Sequence, residues 1–325
     1  MKSKNKCPLC QSPHHKFFFI AKDRMFELPG TFSVVLCRKC SVVYVFPMLS
    51  QAQVSPYYPT RKYYAYRTTG TDSFFLKLRK YLVHHYYHPT ILSRILTLII
   101  LKVPAIPKQI KDGNILDVGC GTGETLLLLK DLGWETYGMD IDKKAVTVAK
   151  KLGVDHVRVG AYQAIAKYPD NFFDAIRLYH VIEHLNNPLQ CLRLMRRKLK
   201  KGGQLIVGTP NVESAMARIF GTYWYNLDVP RHLVLFSPKT LSNFTKKAGF
   251  HVDALEFCSA GGLVGSIQYL LRDKLGIQWN LIHTQWLVIL LYPFEWVVDK
   301  MRNGDVFVLR AIKLVIRNLH SEIAN

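Results

Sequence analysis

Acidic residues are scarce in this sequence: 23 Asp and Glu stand against 44 Lys and Arg in 325 residues, a formal charge of +21. The shortage is sharpest in the first third, where residues 1–113 carry 18 basic and 4 acidic side chains. A field of that sign draws phosphates, whether of nucleic acid, nucleotide-linked substrates or anionic lipid headgroups, and does not choose among them. Cysteine is scarce too. There are seven, four of them in two Cys-x-x-Cys pairs near the start, which excludes a disulfide framework and fits a reducing compartment with one metal site. No apolar run reaches the ~20 residues of a spanning helix. The run at 286–292 stops at Pro293, and the run at 306–316 is interrupted by Arg310 and Lys313. The basic start leads straight into Cys7-Pro8-Leu9-Cys10 without the apolar stretch of a secretory signal, so the cytoplasm is the expected compartment. What is present is enough for a core: 49% apolar residues exclude a disordered chain, and 20 Gly with 15 Pro exclude a collagen-like one.

The length suits a large catalytic domain with a smaller module. Residues 1–48 hold the Cys pairs and two short apolar runs, 31–36 and 42–46, read as strands of a metal-stapled unit. Residues 49–107 read as a linker and a helical acceptor-side segment, Tyr-rich at first (Tyr57, Tyr58, Tyr63, Tyr64, Tyr66, with Arg61, Lys62 and Arg67) and helical over 74–103 with a break at Pro89. From 108 to 258 strands alternate with helices: strands at 114–118, 135–139, 156–159, 172–178 and 204–208, helices at 124–132, 143–152, 188–200 and 237–249. Ser237 as N-cap, Pro238 at the first position and Gly249 at the end bound the last helix. This predicts an α/β, Rossmann-like doubly wound sheet. Residues 259–325 read as an apolar and basic helical extension.

The decapeptide Asn114-Ile115-Leu116-Asp117-Val118-Gly119-Cys120-Gly121-Thr122-Gly123 puts a Gly-rich turn between a strand and a helix. There the backbone must approach a ligand closely. The dinucleotide spacing fails because Glu124 stands where the third Gly belongs, and the phosphate loop fails because no Gly-Lys-Ser/Thr follows. The next strand ends in Gly138-Met139-Asp140, an acid placed to take both ribose hydroxyls.

Asp-x-Gly-x-Gly-x-Gly with this acid resembles class I S-adenosylmethionine-dependent methyltransferases. The resemblance continues over 114–250: Phe173-Asp174-Ala175-Ile176 with Val181-Ile182-Glu183-His184, then 199–207, Thr209-Pro210-Asn211 and Arg231-His232-Leu233 are similar to the ubiquinone-biosynthesis O-methyltransferase-like group. It implies that Asp117, Gly119, Gly121 and Gly123 frame the methionine end of the cofactor, with Cys120 inside that loop. It also implies that Asp140 holds the ribose, Ile141 packs on adenine, and Tyr179 and His180 stand beside the cofactor. The adenine-binding Asp of that group has no counterpart in Gly160-Ala161-Tyr162, so the backbone of Ala161 or Tyr162 is expected to substitute.

Methyl transfer is an in-line displacement to which the protein contributes mainly position, plus a base when the acceptor is a hydroxyl or an activated carbon. The candidates for that work are His184, His232 and Glu183, each with a structural reading beside it: a satisfied His, or a helix-cap carboxylate. His180-x-x-Glu183-His184 also spells an inverted zinc-peptidase motif, but it follows a strand and meets Pro188 four residues later, which denies it the long helix that chemistry needs. A divalent metal held by Glu183, His184 and neighbours is a further reading; His180 as a packing residue argues against it.

Cys7-x-x-Cys10 and Cys37-x-x-Cys40 supply four thiolates in two knuckles, the pattern of a tetrahedral structural zinc, although Gln11 and Ser41 occupy positions where Gly often follows the second Cys. Sugar C-methyltransferases are similar in placing a Cys-rich zinc module before such a domain. The expected function is methyl transfer from S-adenosylmethionine, as O- or C-methylation, to a small-molecule or lipid-linked acceptor such as a sugar, lipid-linked glycan or related metabolite. The other readings are an RNA-directed enzyme that uses 57–67 as a stacking platform, and a non-catalytic scaffold. Against RNA, no Asn/Asp-Pro-Pro-Tyr-type signature follows the fourth strand. Trp286, Tyr292 and Trp296 around an apolar run suit an anionic membrane surface at the cytoplasmic face; a subdomain covering the acceptor pocket is the alternative.

Overall fold

Short β-rich apolar runs such as Ile115-Leu116 and Ala175-Ile176, buried on both faces, build the centre of the molecule. A computed structural model describes residues 6–59, 74–99, 105–259 and 261–314. The central sheet comprises β4 (Asn114–Val118), β5 (Glu135–Asp140), β6 (His156–Val159), β7 (Phe173–Tyr179), β8 (Leu199–Pro210), β10 (Phe250–Cys258) and β11 (Val306–Lys313), in the order β10-β11-β8-β7-β4-β5-β6. β4 to β8 pair in parallel, and β11 runs antiparallel between β8 and β10. From β4 the chain moves outward to β5 and β6, then returns to β7 on the other side of β4. That reversal opens a crevice at the carboxyl ends of β4 and β7, where open α/β sheets bind ligands.

The helices start where their caps allow. α4 (Glu124–Lys130) begins at Gly123, and α5 (Lys143–Lys151) at Asp142, whose carboxylate accepts the Lys144 and Ala145 N–H groups. α6 (Pro188–Lys198) is capped by Asn187, and α8 (Pro238–Lys247) by Ser237 in a capping box with Thr240. The helix expected to run to 200 stops at Lys198 because Leu199 pairs with Phe173; residues 200–203 then bulge out before Gln204 pairs with Ala175. The 74–103 segment is α2 (Phe74–Tyr87) and α3 (Ile91–Ile99), split at Pro89 as expected, with residues 100–104 outside the described set.

One expectation is corrected. The extension is helical only in α9 (Gly262–Leu275) and α10 (Gln285–Lys300), and its last run is the strand β11. Residues 306–311 are all buried, a continuous run of apolar residues that suits an interior strand better than an amphipathic helix. The basic interruption is absorbed: the Arg310 guanidinium donates to Glu256 of β10 at 3.1 and 3.2 Å. The sheet is therefore not closed by residues 108–258, since a strand from the extension lies between β8 and β10.

A second sheet holds β1 (His15–Lys22), β2 (Thr31–Cys37), β3 (Val43–Phe46) and β9 (Val234–Leu235). Its fourth strand comes from the far side of the sequence: Val43 pairs with Leu235 and Tyr44 with Val234. The N-terminal unit is thus tied by backbone hydrogen bonds to the segment between β8 and β10. Its Cys7, Leu9 and Val35 share a core with Leu116, Leu233 and Phe236.

Candidate functional site

β4 delivers Gly119 into the crevice, and the loop is pinned from behind. Gly119 and Cys120 donate their N–H groups to the Met139 carbonyl, and Gly121 donates to an Asp140 carboxylate oxygen at 2.9 Å. Gly119 has φ +75°, and a side chain there would collide with Val181 at 2.4 Å. Gly123, at φ +79°, would strike Val154. Only glycine permits this close path. Asp140 also accepts from the Asp142 N–H at 2.9 Å, one bond per oxygen, which leaves lone pairs on both. Burial pushes the Asp140 pKa upward, with those two N–H donors acting against the shift. Ile141 beside it is 61% exposed, an uncovered apolar surface at the rim.

Other expected cofactor residues sit differently. Asp117 is buried, and both of its oxygens accept from Arg177 Nη1, at 2.8 and 2.7 Å. The sequence reading missed Arg177, although a cation in an apolar strand, in register with the acid of the neighbouring strand, was the available signal. Asp117 therefore meets the loop through an internal ion pair. Cys120 turns its thiol back toward Gly138 and Leu126 of the core, and burial raises its pKa. Ala161 is exposed, but the Tyr162 ring packs in the core, so only its backbone can face a ligand. Tyr179 stacks over Arg177 at 4.8 Å and closes against Gly208. His180 takes a left-handed backbone (φ 54°) with its N–H on the Gly208 carbonyl, and its Nδ1 donates to Glu183 Oε1 at 3.2 Å.

Glu183, His184 and His232 converge. One donor atom of each lies within 4.8 Å of the others, and the two imidazole centroids are 4.8 Å apart. Glu183 is fully buried and accepts from Thr209 Oγ1 at 3.0 Å. Burial opposes its charge, but the His180 hydrogen bond and the surrounding imidazoles outweigh it and hold the carboxyl down at about 2. His184 Nδ1 lies 3.0 Å from the Arg231 carbonyl, and His232 Nδ1 2.9 Å from the Asn226 carbonyl. A carbonyl only accepts, so each Nδ1 carries the proton and each Nε2 keeps its lone pair. Burial drives the His232 pKa down to about 4 against the pull of Asp228 and Glu183, so this imidazole is neutral at pH 7. The set has the chemistry of a proton-transfer site. Two imidazoles whose Nδ1 atoms are fixed by carbonyls, beside a carboxylate, also have the donor chemistry to hold a divalent cation.

The N-terminal unit reaches this cluster. Arg231, fully buried, donates to Asp23 (2.6 Å), Asp228 (3.0 Å) and the Tyr57 carbonyl (2.8 Å). The Tyr58 hydroxyl lies 3.1 Å from His184 Nδ1. Of the aromatic stretch that also suits an RNA platform, Tyr58 turns its hydroxyl to this cluster and Tyr57 donates its own to the Pro29 carbonyl, while Tyr63, Tyr64 and Tyr66 lie outside the described residues. From the other side Asp305, at the head of β11, accepts from Trp224 Nε1, Ser214 Oγ and Asn226 Nδ2.

The four N-terminal cysteines also come together, with Sγ separations of 3.6 Å (Cys7–Cys40) and 3.5 Å (Cys10–Cys37), and none is in a disulfide. Four sulfurs at about 2.3 Å from one ion stand about 3.8 Å apart in a tetrahedron, so the spacing fits. Gln11 and Ser41 both adopt φ 60°, the conformation Gly would supply, and the two knuckles match: each of these residues donates its N–H to the carbonyl of the first Cys, at 3.0 and 2.9 Å. Cys7 is held down at about 5, chiefly by its hydrogen bond with Cys40.

A family model described as a methyltransferase domain matches residues 84–255, just over half of the chain. The chain is similar to ubiquinone biosynthesis O-methyltransferases from Thiobacillus denitrificans (26% identity, 44% of this chain and 66% of that one) and Ralstonia nicotianae (24%, 50% and 76%). It is also similar to one from Xanthomonas oryzae pv. oryzae (31% identity, 30% of this chain), where the match spans less than half, 43%, of the relative. Among solved structures, a SAM dependent methyltransferase from Archaeoglobus fulgidus is similar at TM-score 0.44 and 21% identity, over 72% of this chain and 99% of that one.

Proposed function

This chain belongs to the methyltransferase-domain family, and from that premise we propose that it moves a methyl group from S-adenosylmethionine to a hydroxyl of a small-molecule acceptor, a sugar, lipid-linked glycan or related metabolite. The observation that carries the reading is the opposition, at the switch point of one sheet, of a glycine loop held by Asp140 and a cluster of Glu183, His184 and His232. The relatives named for O-methylation direct it to a hydroxyl acceptor. Bound S-adenosylmethionine supplies the activated methyl group on a sulfonium. The protein's part is placement: the loop at 119–123 lets a ligand approach the backbone, Asp140 offers two carboxylate oxygens to the ribose hydroxyls, and Ile141 offers an apolar face to the adenine.

His184 is the base in this reading. Its Nδ1–H is fixed on the Arg231 carbonyl, so Nε2 is the atom that accepts the acceptor's proton. The anionic Glu183 nearby favours the imidazolium that forms. His232, held near 4, orients and packs rather than takes the proton. The cysteine cluster holds one structural zinc, which fixes the knuckles that carry β1 to β3 and so the strand pairing to β9.

Calorimetric titration with S-adenosylmethionine and S-adenosylhomocysteine tests the first half; one site per chain is expected, and no heat with either overturns the proposal. Asp140→Ala weakens the site at least roughly tenfold, the loss of a charge-assisted hydrogen bond pair. His184→Ala leaves that titration intact and removes methyl transfer, which separates the base from the cofactor pocket.

A further inference from the structure

α10 lays one face on the protein and shows the other to solvent. Glu295, Val298 and Asp299 point inward and are buried, whereas Trp286, Ile289, Leu290, Phe294 and Val297 lie on the opposite side, 46 to 66% exposed. Trp279, in the connection from α9, is 64% exposed. This is a stripe at helical spacing with two tryptophans, and no described element covers it.

The exposed charges of its own segment are of one sign. Residues 261–304 contain three acids, and each is withdrawn from the surface. Asp273 is 10% exposed and paired with Lys22 and Arg24; Glu295 accepts the Gly261 and Leu263 N–H groups; Asp299 accepts from Ser259. The cations stay out: Lys274, Lys300 and Arg302 are exposed, and Lys300 continues the apolar face one turn beyond Val297, its ammonium over the Trp296 ring. On a chain of net charge +21, a large apolar stripe whose own segment exposes cations and withdraws its acids complements a surface that is apolar below and anionic above. A protein partner would need an apolar patch ringed by acids; a second copy of this chain would bring like charges together.

We propose that this face of α10, with Trp279, docks on an anionic lipid bilayer, lying in the interface. No helix among the described residues is long and apolar enough to cross a membrane, and α10 ends in residues that keep their charge in water. Buried apolar side chains give the affinity, and the cations select anionic headgroups at roughly 1 kcal/mol, about fivefold in partitioning, for each Lys or Arg near the surface. The attachment needs neither cofactor nor acceptor, so it stands or falls apart from the methyl-transfer reading.

The test is flotation of the full chain with phosphatidylcholine vesicles that contain phosphatidylglycerol, beside phosphatidylcholine alone, at low and high salt. The expected result is flotation with the anionic vesicles at low salt, lost at high salt, with a blue shift of tryptophan emission in the unmodified protein. Trp286→Ser with Leu290→Ser lowers partitioning at least tenfold, and Lys300→Ala with Arg302→Ala lowers it by roughly an order of magnitude. All four side chains are exposed, and an unchanged circular dichroism spectrum verifies folding. No flotation and no blue shift at low salt overturns the proposal. Equal binding to neutral vesicles overturns the headgroup assignment, and a concentration-dependent dimer that Trp286→Ser dissociates, without vesicle binding, gives the face to a second copy instead.

Discussion

Arg231 is where the N-terminal unit meets the 224–232 loop, and its removal should be far more damaging than the loss of either carboxylate. Its guanidinium is fully buried between Asp23 and Asp228 and also holds the Tyr57 carbonyl. Arg231→Met keeps most of the aliphatic volume but leaves two carboxylates facing each other without a cation, and the Asp23 side chain has no access to water. Breaking a buried pair in this way costs about 3–5 kcal/mol. Asp23→Asn behaves differently. Asparagine retains an oxygen that can accept from Arg231 and from the Met25 and Phe26 N–H groups, and Asp228 still neutralises the guanidinium. Its cost should stay near 1 kcal/mol, that of a neutral hydrogen bond replacing a charged one.

Urea unfolding of the two variants beside the parent measures the contrast. Because the Arg231 carbonyl fixes His184 Nδ1, Arg231→Met should also lower turnover under conditions where the protein remains folded. The reasoning is refuted if Arg231→Met unfolds at the parent's urea midpoint, or if both variants lose the same stability, since then the ion cluster does not hold the two parts together.

Three further outcomes follow from the same geometry. His232 has a folded pKa near 4 against an ordinary 6.5, so the unfolded chain binds its proton first: stability is full above about 6.5, falls as pH drops toward 4, and loses roughly 3 kcal/mol from this group. His232→Asn, which keeps an N–H for the Asn226 carbonyl, should flatten that part of the stability–pH curve; an unchanged slope assigns it to another group. Burial raises Asp305 to about 6, the opposite sign, so this carboxyl stabilises the fold less as pH rises through 4 to 6, and Trp224 fluorescence, which reads its partner directly, should titrate near 6. Elemental analysis should find one zinc per chain, and Cys37→Ser should remove it and lower the unfolding temperature; a full zinc complement in that variant rules out the four-cysteine site.

The features readable in the sequence were those that depend on short-range backbone requirements. The glycine loop, the helix capped by Ser237 with Pro238 behind it and the split at Pro89 are each set by residues within one turn or two of each other, and Asp140 was legible from its place at the end of the next strand. Pairs far apart in sequence were not legible. Arg177 gave no sign of its role until β7 was laid beside β4, where it meets Asp117 in register, and Asp23 lies 208 residues from Arg231. The charged residues of β11 break its apolar run at a spacing that either a helix or a strand tolerates; only partners distant in sequence, Glu256 on the neighbouring strand and the Ile106 carbonyl, explain why Arg310 can be buried in a sheet. Gln11 and Ser41 depart from the Gly common after a zinc knuckle, yet both accept the left-handed turn that Gly would take, so the knuckle geometry outweighs local preference.

The loop from 224 to 232 is where these long-range ties converge, and in the proposed reading it forms the acceptor side. The parallel strands β4 to β7 hold the glycine loop and Asp140 by local backbone bonds, an arrangement that needs neither end of the chain. The opposite wall has no such support. His232 is oriented by Asn226, Asn226 by Asp305 at the head of β11, and Arg231 by Asp23 of the N-terminal unit; His184 in turn rests on the Arg231 carbonyl. The wall facing the glycine loop therefore lies within the methyltransferase-domain match, residues 84–255, but is braced by Asp23 and Asp305, which lie outside it. Changes in the N-terminal unit or in β11 can thus reshape the acceptor side while leaving the cofactor side untouched. Asp23 and Asp305 substitutions should accordingly alter which acceptor is methylated, and how fast, before they alter the affinity for S-adenosylhomocysteine.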